Sequence, residues 1–180
     1  MSRVRLLESR RIYSGAISLR KDMFSLNGRT VEKEIVEHQQ SVGIVPVIDG
    51  DSVLLVTQYR RAAGKTLIEI PAGKIEKGET PKHAAAREMA EEIGVSGRLR
   101  PLAQWNLAPG YDTEFMHVFV ATGLKKMKRG TLDEDEDIAI KRFRLDEVVR
   151  KCKSGKIQDC KTVAAILAYH QRLRAVTRRR

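Results

Sequence analysis

Cysteine is scarce in this chain: Cys152 and Cys160 are the two present among 180 residues. With so few thiols, and histidine poorly placed beside them, no zinc site is expected. Reduced thiols of a cytoplasmic protein are the expected state, with a bridge between the two left open. Long apolar runs are missing too: none reaches the roughly 18 residues that a membrane span needs. The first residues, MSRVRLLESRR, carry charge throughout and have no apolar h-region, so no signal peptide is expected. Aromatics make up 5% of the chain, and no aromatic-rich strand of the kind that stacks RNA bases is visible. There are no internal repeats.

What is present fits one globular unit. The length suffices for one buried core and is short for two ordinary domains, and the apolar content of 42% is that of a folded protein. The net charge is +11, from 34 basic and 23 acidic residues. Such a balance suits nucleic acid, an anionic small substrate, or solubility alone. Five of the arginines lie in the final QRLRAVTRRR, while the acids cluster in the interior. An RNA-binding protein would need that tail, and removal of Arg178 to Arg180 would abolish its function; a protein acting on a small anionic molecule would hardly register the loss.

Along the chain, Arg11–Tyr13, Ala16–Leu19 and Thr30–Val36 read as short strands, with Asn27-Gly28 as a turn between the last two. This small antiparallel sheet has little core of its own. Val42–Ile48 and Val53–Tyr59 read as a hairpin across Asp49-Gly50-Asp51, and Leu67–Ile70 as a short strand. Further strands are expected at 102–107, 115–121 and 138–143, and helices at 145–154 and 159–172. In the last helix Val163, Ile166, Leu167 and His170 are expected to share a face. Strands and helices mixed in this way predict an α/β layered domain.

Residues Gly73 to Val95, GKIEKGETPKHAAAREMAEEIGV, are the most informative stretch. Thr80 suits a helix N-cap, Pro81 the first helical position and Gly94 the C-terminal stop. Ala86, Met89, Ala90 and Ile93 recur at the spacing of one apolar stripe. Glu88, Glu91 and Glu92 fall roughly opposite, within an arc of about 100°. Crowding three carboxylates there sets up oxygen ligands for hard divalent cations. An exposed acidic helix without chemistry is the alternative reading.

The same stretch fills the pattern G-x5-E-x7-R-E-U-x-E-E-x-G-U, U being a bulky aliphatic residue, with Gly73, Glu79, Arg87, Glu88, Met89, Glu91, Glu92, Gly94 and Val95. It resembles the Nudix box, the catalytic motif of Nudix hydrolases, which cleave nucleoside diphosphates linked to a second group. The resemblance covers residues 40 to 175 and implies the Nudix fold, a mixed β-sheet sandwiched between helices. Residues 1–39 are then an added N-terminal antiparallel β-sheet element and 40–180 the catalytic domain. It also implies Mg²⁺ or Mn²⁺ held by Glu88, Glu92 and the carbonyl of Ala72, with Glu91 beside them, Arg87 orienting the carboxylates and Glu79 fixing the loop.

Three features resemble the ADP-ribose pyrophosphatase subgroup. Pro109 stands 15 residues beyond Gly94, within Ala108–Glu114. Val31–Val42 is similar to that subgroup's lead-in strand. Glu69-Ile70-Pro71-Ala72-Gly73 matches its approach to the box, preceded by Gln58-Tyr59-Arg60 in the place of a Gln-x-Arg segment. The resemblance implies substrate contacts at Arg60, Pro109, Glu114 and Gly73. A guanidinium at position 60 can bind phosphate bidentately. In the acidic run Leu132–Ile138, Glu134 is mapped to the catalytic base and Glu136 to a further metal ligand. The implied activity is hydrolysis of ADP-ribose to AMP and ribose 5-phosphate by a homodimer whose N-terminal sheets are exchanged. No membrane or nucleic-acid partner is expected. The alternatives are a pyrophosphatase for another nucleotide sugar or dinucleotide, an RNA 5′-end-processing protein, and a catalytically silent nucleotide sensor.

Overall fold

The computed structural model describes residues 4–128 and 138–177, with backbone alone for the last two. They form two compact units. The first runs to Gln40 and takes in Asn106–Phe115; the second comprises Ser41–Trp105 and the residues from Met116 onward.

The first unit is built on β1 (Val4–Ser14), β2 (Ser18–Leu26) and β3 (Arg29–Glu37), paired antiparallel in that order. Asn27 and Gly28 have φ of 51° and 81°. Positive φ at both positions is what a two-residue hairpin turn of matching twist requires. The first two strands are longer than the sequence reading placed them: β1 begins at Val4, and β2, which starts two residues later than expected, runs on to Leu26. Charged residues interleave with apolar ones there and mask the period-two signal. One reason they are tolerated is an ionic cluster on one sheet face. Asp22 is buried and accepts hydrogen bonds from Ser9 Oγ (2.6 Å) and Arg20 Nε (2.9 Å). Arg20 and Arg11 then share Glu37. The Ser9 hydroxyl, helped by Arg20, holds the Asp22 carboxyl below its usual range against the opposing effect of burial. The whole of β1 is exposed in the single chain, including Val4, Leu6, Leu7, Ile12 and Tyr13. At the end of β3, Val36 exchanges backbone hydrogen bonds with Tyr111 and Thr113.

The second unit is a mixed seven-stranded sheet with three α-helices among the described residues. Its strands are β4 (Ser41–Ile48), β5 (Ser52–Arg60), β6 (Lys65–Glu69), β7 (Ala72–Lys74), β8 (Val95–Asn106), β9 (Phe115–Lys126) and β10 (Ile138–Arg144). Its helices are α1 (Pro81–Ile93), α2 (Leu145–Lys153) and α3 (Cys160–Thr177). The strand path is β10-β5-β4-β9-β8, with β6 on β5 and β7 on β4. β4 is buried almost throughout and runs parallel to β9 and antiparallel to β5 and β7. Its Val42 and Ile44 join Phe119, Ala121, Val56 and Ile138 under Ala84, Ala85, Met89 and Ile93 of α1. Alternate residues of the same strand face the other way, where α3 packs. This is the mixed sheet with helices that the sequence led one to expect, down to the Asp49-Gly50 turn between β4 and β5.

Two helix faces are rotated from their expected positions. In α1 the buried alanines are Ala84 and Ala85, while Ala86 is exposed, and Glu88 and Glu92 are buried at 9% and 3% exposure. The helix therefore buries part of its acidic flank, because the β7 loop lies against it. In α3 the buried positions are Thr162, Ala165, Ile166 and Tyr169, with Val163 and Leu167 half-buried. The face follows Thr162 inward, since its hydroxyl satisfies the backbone N–H of Ile70.

Candidate active site

Local sequence fixes α1 at both ends. Thr80 Oγ1 accepts the His83 N–H at 3.3 Å, Pro81 occupies the first position, and Gly94 closes the helix at φ 63° with its N–H on Ala90 O. Between them Arg87 is a hub. Its Nη1 donates to Glu88 Oε1 (2.8 Å) and Glu91 Oε2 (3.0 Å), and its Nε and Nη2 grip both oxygens of Glu79 at 3.2 and 3.0 Å. Nη2 also reaches the carbonyl of Lys74 at 2.9 Å. The hydrogen bonds to Glu79 come first among the causes that raise the Arg87 pKa further above its usual value. In return Arg87 draws the Glu79 carboxyl down. Glu79 also accepts the Glu76 N–H, so it ties the loop before the helix to the helix itself.

The β7 loop closes the acidic flank from the other side. Ala72 N–H donates to Glu92 Oε2 at 3.2 Å. A Cβ placed on Gly73 would overlap the carboxyl group of Glu88. Glycine at 73 is thus a matter of space: the backbone passes where any side chain would displace the carboxylate. Ala72, Gly73, Arg87, Glu88, Glu91 and Glu92 are brought together at this flank. Among the described residues no three acidic, histidine or cysteine side chains converge as a ready cation cluster. The donor chemistry nonetheless fits a hard divalent ion, since it consists of carboxylates and backbone carbonyls on a loop with no intervening side chain. Glu88 and Glu91 are instead turned onto Arg87, and Glu92 onto Ala72.

Arg60 ends β5 and meets a partner that the sequence reading did not assign. Its Nε and Nη2 form a two-pronged bond to Glu69 Oε1 and Oε2 at 2.8 and 2.7 Å. Glu69 is 1% exposed. Lys161 Nζ binds the same Oε2, and also Asp159 Oδ1 at 2.8 Å. Burial pushes the Glu69 carboxyl up, but the Arg60 hydrogen bonds and the Lys161 charge outweigh it and leave the pKa below the usual value. Glu69 raises the Arg60 pKa in turn, and the nearby charges of Asp159 and Glu92 add to that. A glutamate inside the apolar run Leu67–Ile70 was the signal in the sequence for this buried pair. Asp159, three residues before Thr162, was the signal for the cap: its Oδ2 accepts the Thr162 N–H at 2.9 Å and the Thr162 hydroxyl.

Pro109 and Glu114 lie in the first unit. Pro109 sits in a turn closed by hydrogen bonds from the Tyr111 and Asp112 N–H groups to Ala108 O. Glu114 Oε2 stands 3.8 Å from His38 Nδ1. Glu134 and Glu136, with the other acids of that run, lie outside the described residues. An open cleft of about 670 Å³ begins at Thr80–Lys82 and is lined further by Gln104, His117 and Phe119; the Glu88 flank is not part of it. Burial lowers the His117 pKa and so favours its neutral ring.

A mixed sheet with a capped helix whose Glu88 and Glu92 lie against a glycine loop defines a class, and the comparisons agree with it. The NUDIX domain model matches residues 37–165, and the chain belongs to the Nudix family. A methanol dehydrogenase activator of Bacillus methanolicus is 37% identical over 164 residues, covering 89% of each chain. An ADP-ribose pyrophosphatase of Bacillus subtilis is 36% identical, covering 78% of this chain and 77% of its own. One from Mycobacterium tuberculosis is 34% identical, covering 91% and 82%. A crystal structure described as an ADP compounds hydrolase superposes with a TM-score of 0.85 at 22% identity over 96% of this chain and 95% of its own, a likeness of fold.

Proposed function

We propose that this chain is a Nudix hydrolase that cleaves the pyrophosphate bond of ADP-ribose to AMP and ribose 5-phosphate, using Mg²⁺ or Mn²⁺. The observation that carries the reading is the buried Glu88–Glu92 flank with Gly73 backbone packed against it. The two ADP-ribose pyrophosphatases, at 36% and 34% identity, support the choice of substrate. When bound, the cation neutralises phosphate charge and lowers the pKa of water. Glu88, Glu92 and Glu136 with the Ala72 carbonyl would hold it. Arg87 keeps Glu88 and Glu91 in place. Glu134 takes a proton from water as its oxygen bonds to phosphorus and the bridging P–O bond breaks, the bridge oxygen leaving with the second phosphate. Arg60 holds a phosphate oxygen with the N–H groups that Glu69 leaves over, and Gly73 is a second substrate contact; the substrate roles of Pro109 and Glu114, in the first unit, rest on the resemblance alone.

Residues 1–39 serve as a dimerisation element and 40–180 as the catalytic domain. The support is β1, whose apolar side chains are exposed in the single chain, Val4 at 61% and Tyr13 at 58%. A second copy of the chain would cover them. A cytoplasmic location completes the reading. It is compatible with free cysteines and with the finding that no helix among the described residues is long and apolar enough to cross a membrane. The test is turnover with Mg²⁺ on ADP-ribose, diadenosine polyphosphates, NADH and sugar nucleotides. ADP-ribose should give the highest kcat/KM, and absence of that preference refutes the substrate assignment.

The relative named as a methanol dehydrogenase activator favours a second reading, in which this chain acts on a partner enzyme. Under it, hydrolysis alone would be slow and would rise when a dehydrogenase is added.

A further inference from the structure

We infer that Lys161, with Asp159 and Thr162, is a positioning residue for the hydrolysis: from beneath the site it fixes the Arg60 fork and the backbone leading to Glu92. The inference rests on the reading above in one respect, that Arg60 holds a substrate phosphate.

The charges decide the first half. Glu69 is buried and spends both oxygens on Arg60. One guanidinium, itself 41% exposed on its side chain, shares its charge with solvent and is a weak partner for a buried carboxylate. Lys161 supplies the second cation from a position only 12% exposed, with its Nζ bonded to Glu69 and Asp159. Asp159 balances it at 2.8 Å, so Arg60, Glu69, Lys161 and Asp159 form a connected set whose formal charges cancel. The outcome is a guanidinium with two N–H groups committed to Glu69 and three left, held at a fixed angle. Without Lys161 the Glu69 carboxylate is under-compensated, and either takes up a proton or draws Arg60 inward. Both outcomes loosen the fork.

Hydrogen bonds decide the second half. The fully buried Thr162 hydroxyl accepts the Ile70 N–H at 2.7 Å and donates to Asp159. Pro71 O then accepts the Ile44 N–H at 2.9 Å, and Ala72 N–H binds Glu92. Helix α3 is thereby tied through three consecutive residues to a carboxylate of the acidic flank.

The experiment compares Lys161→Met, Lys161→Arg, Thr162→Val, Thr162→Ser and Arg60→Gln in the full chain, with ADP-ribose and Mg²⁺. Lys161→Met should raise KM about tenfold with kcat within about threefold, the pattern of lost uniform binding. Lys161→Arg should restore most of it. Thr162→Val should instead lower kcat about tenfold and raise the Mg²⁺ needed for half-maximal rate, and Thr162→Ser should recover both. A substrate-free readout is the ¹⁵N resonance of Arg60 Nε–H. It should exchange slowly in the wild type and in Lys161→Arg, and fast in Lys161→Met. A slow Arg60 Nε–H in Lys161→Met overturns the inference, as does a KM unchanged in Lys161→Met but raised in Arg60→Gln. A KM unchanged in Arg60→Gln refutes the phosphate role of Arg60 instead, and the resonance then still decides whether Lys161 fixes the fork.

Discussion

Gly73→Ala is the sharpest test of how the acidic flank is built. The added Cβ would lie 2.5 Å from Glu88 Oε2 and nearer still to Oε1 and Cδ. Non-bonded heavy atoms settle at about 3.5–4.0 Å. Either the carboxylate or the loop must therefore move by about 1 Å or more. Overpacking of this kind costs about 1–3 kcal/mol. For a chain of this size that corresponds to a fall in Tm of about 2–12 °C. The chemical effect should be larger, because a misplacement of about 1 Å in a reacting site can cost about 10²-fold in rate. We expect kcat on ADP-ribose to drop about 100-fold at saturating Mg²⁺, and the Mg²⁺ requirement to rise, in protein that is still folded at 25 °C. Gly155→Ala is the control. Gly155 has φ 71° with nothing within 4 Å of an added Cβ, so the change costs about 1 kcal/mol of backbone strain and leaves kcat alone. A Gly73→Ala enzyme within threefold of wild type at every Mg²⁺ concentration would refute the argument that glycine is there to admit Glu88.

Other consequences are as direct. Glu92→Gln keeps an acceptor for Ala72 N–H but loses a charge, so turnover should fall by about two orders of magnitude or more with little change in Tm; EDTA should abolish wild-type hydrolysis and Mg²⁺ should restore it. Glu69 has its pKa lowered from 4.5, so its stabilisation is complete above that value and is lost as pH falls through the depressed one. The Tm of wild type should accordingly exceed that of Glu69→Gln most at pH 6, and the gap should narrow on titration to pH 3; a constant gap would show that charge is not the cause. Leu6→Glu on exposed β1 should shift the chain from dimer to monomer in light scattering at micromolar concentration, whereas a wild-type monomer there would rule out shared N-terminal sheets.

Local signals made much of the second unit legible. Val42–Ile48 is apolar because β4 is covered on both faces, and Asp49-Gly50 reads as a turn because both residues take positive φ. Thr80, Pro81 and Gly94 mark α1 to the residue for the same reason: caps depend on adjacent backbone alone. The faces of α1 and α3 were less legible. Periodicity treats apolar residues as inward and charged ones as outward, and Glu88, Glu92 and Thr162 break that rule because distant backbone supplies their partners. The N-terminal strands were obscured in the same way, their arginines and acids being paired across Arg20, Asp22 and Glu37.

The limit of sequence reading falls at Glu69. Taken alone, Arg60 looks like a phosphate ligand on a strand and Lys161 like a surface lysine near the start of a helix, 92 residues from the glutamate it binds. Neither residue type nor spacing predicts that two cations from opposite ends of the second unit meet on one buried carboxylate. Burial makes the pairing obligatory, because a carboxylate at 1% exposure cannot remain charged without hydrogen-bonded cations. Glu69 therefore couples the position of a surface arginine to the packing of α3. Changes in α3 near Lys161 should then alter substrate binding through Arg60.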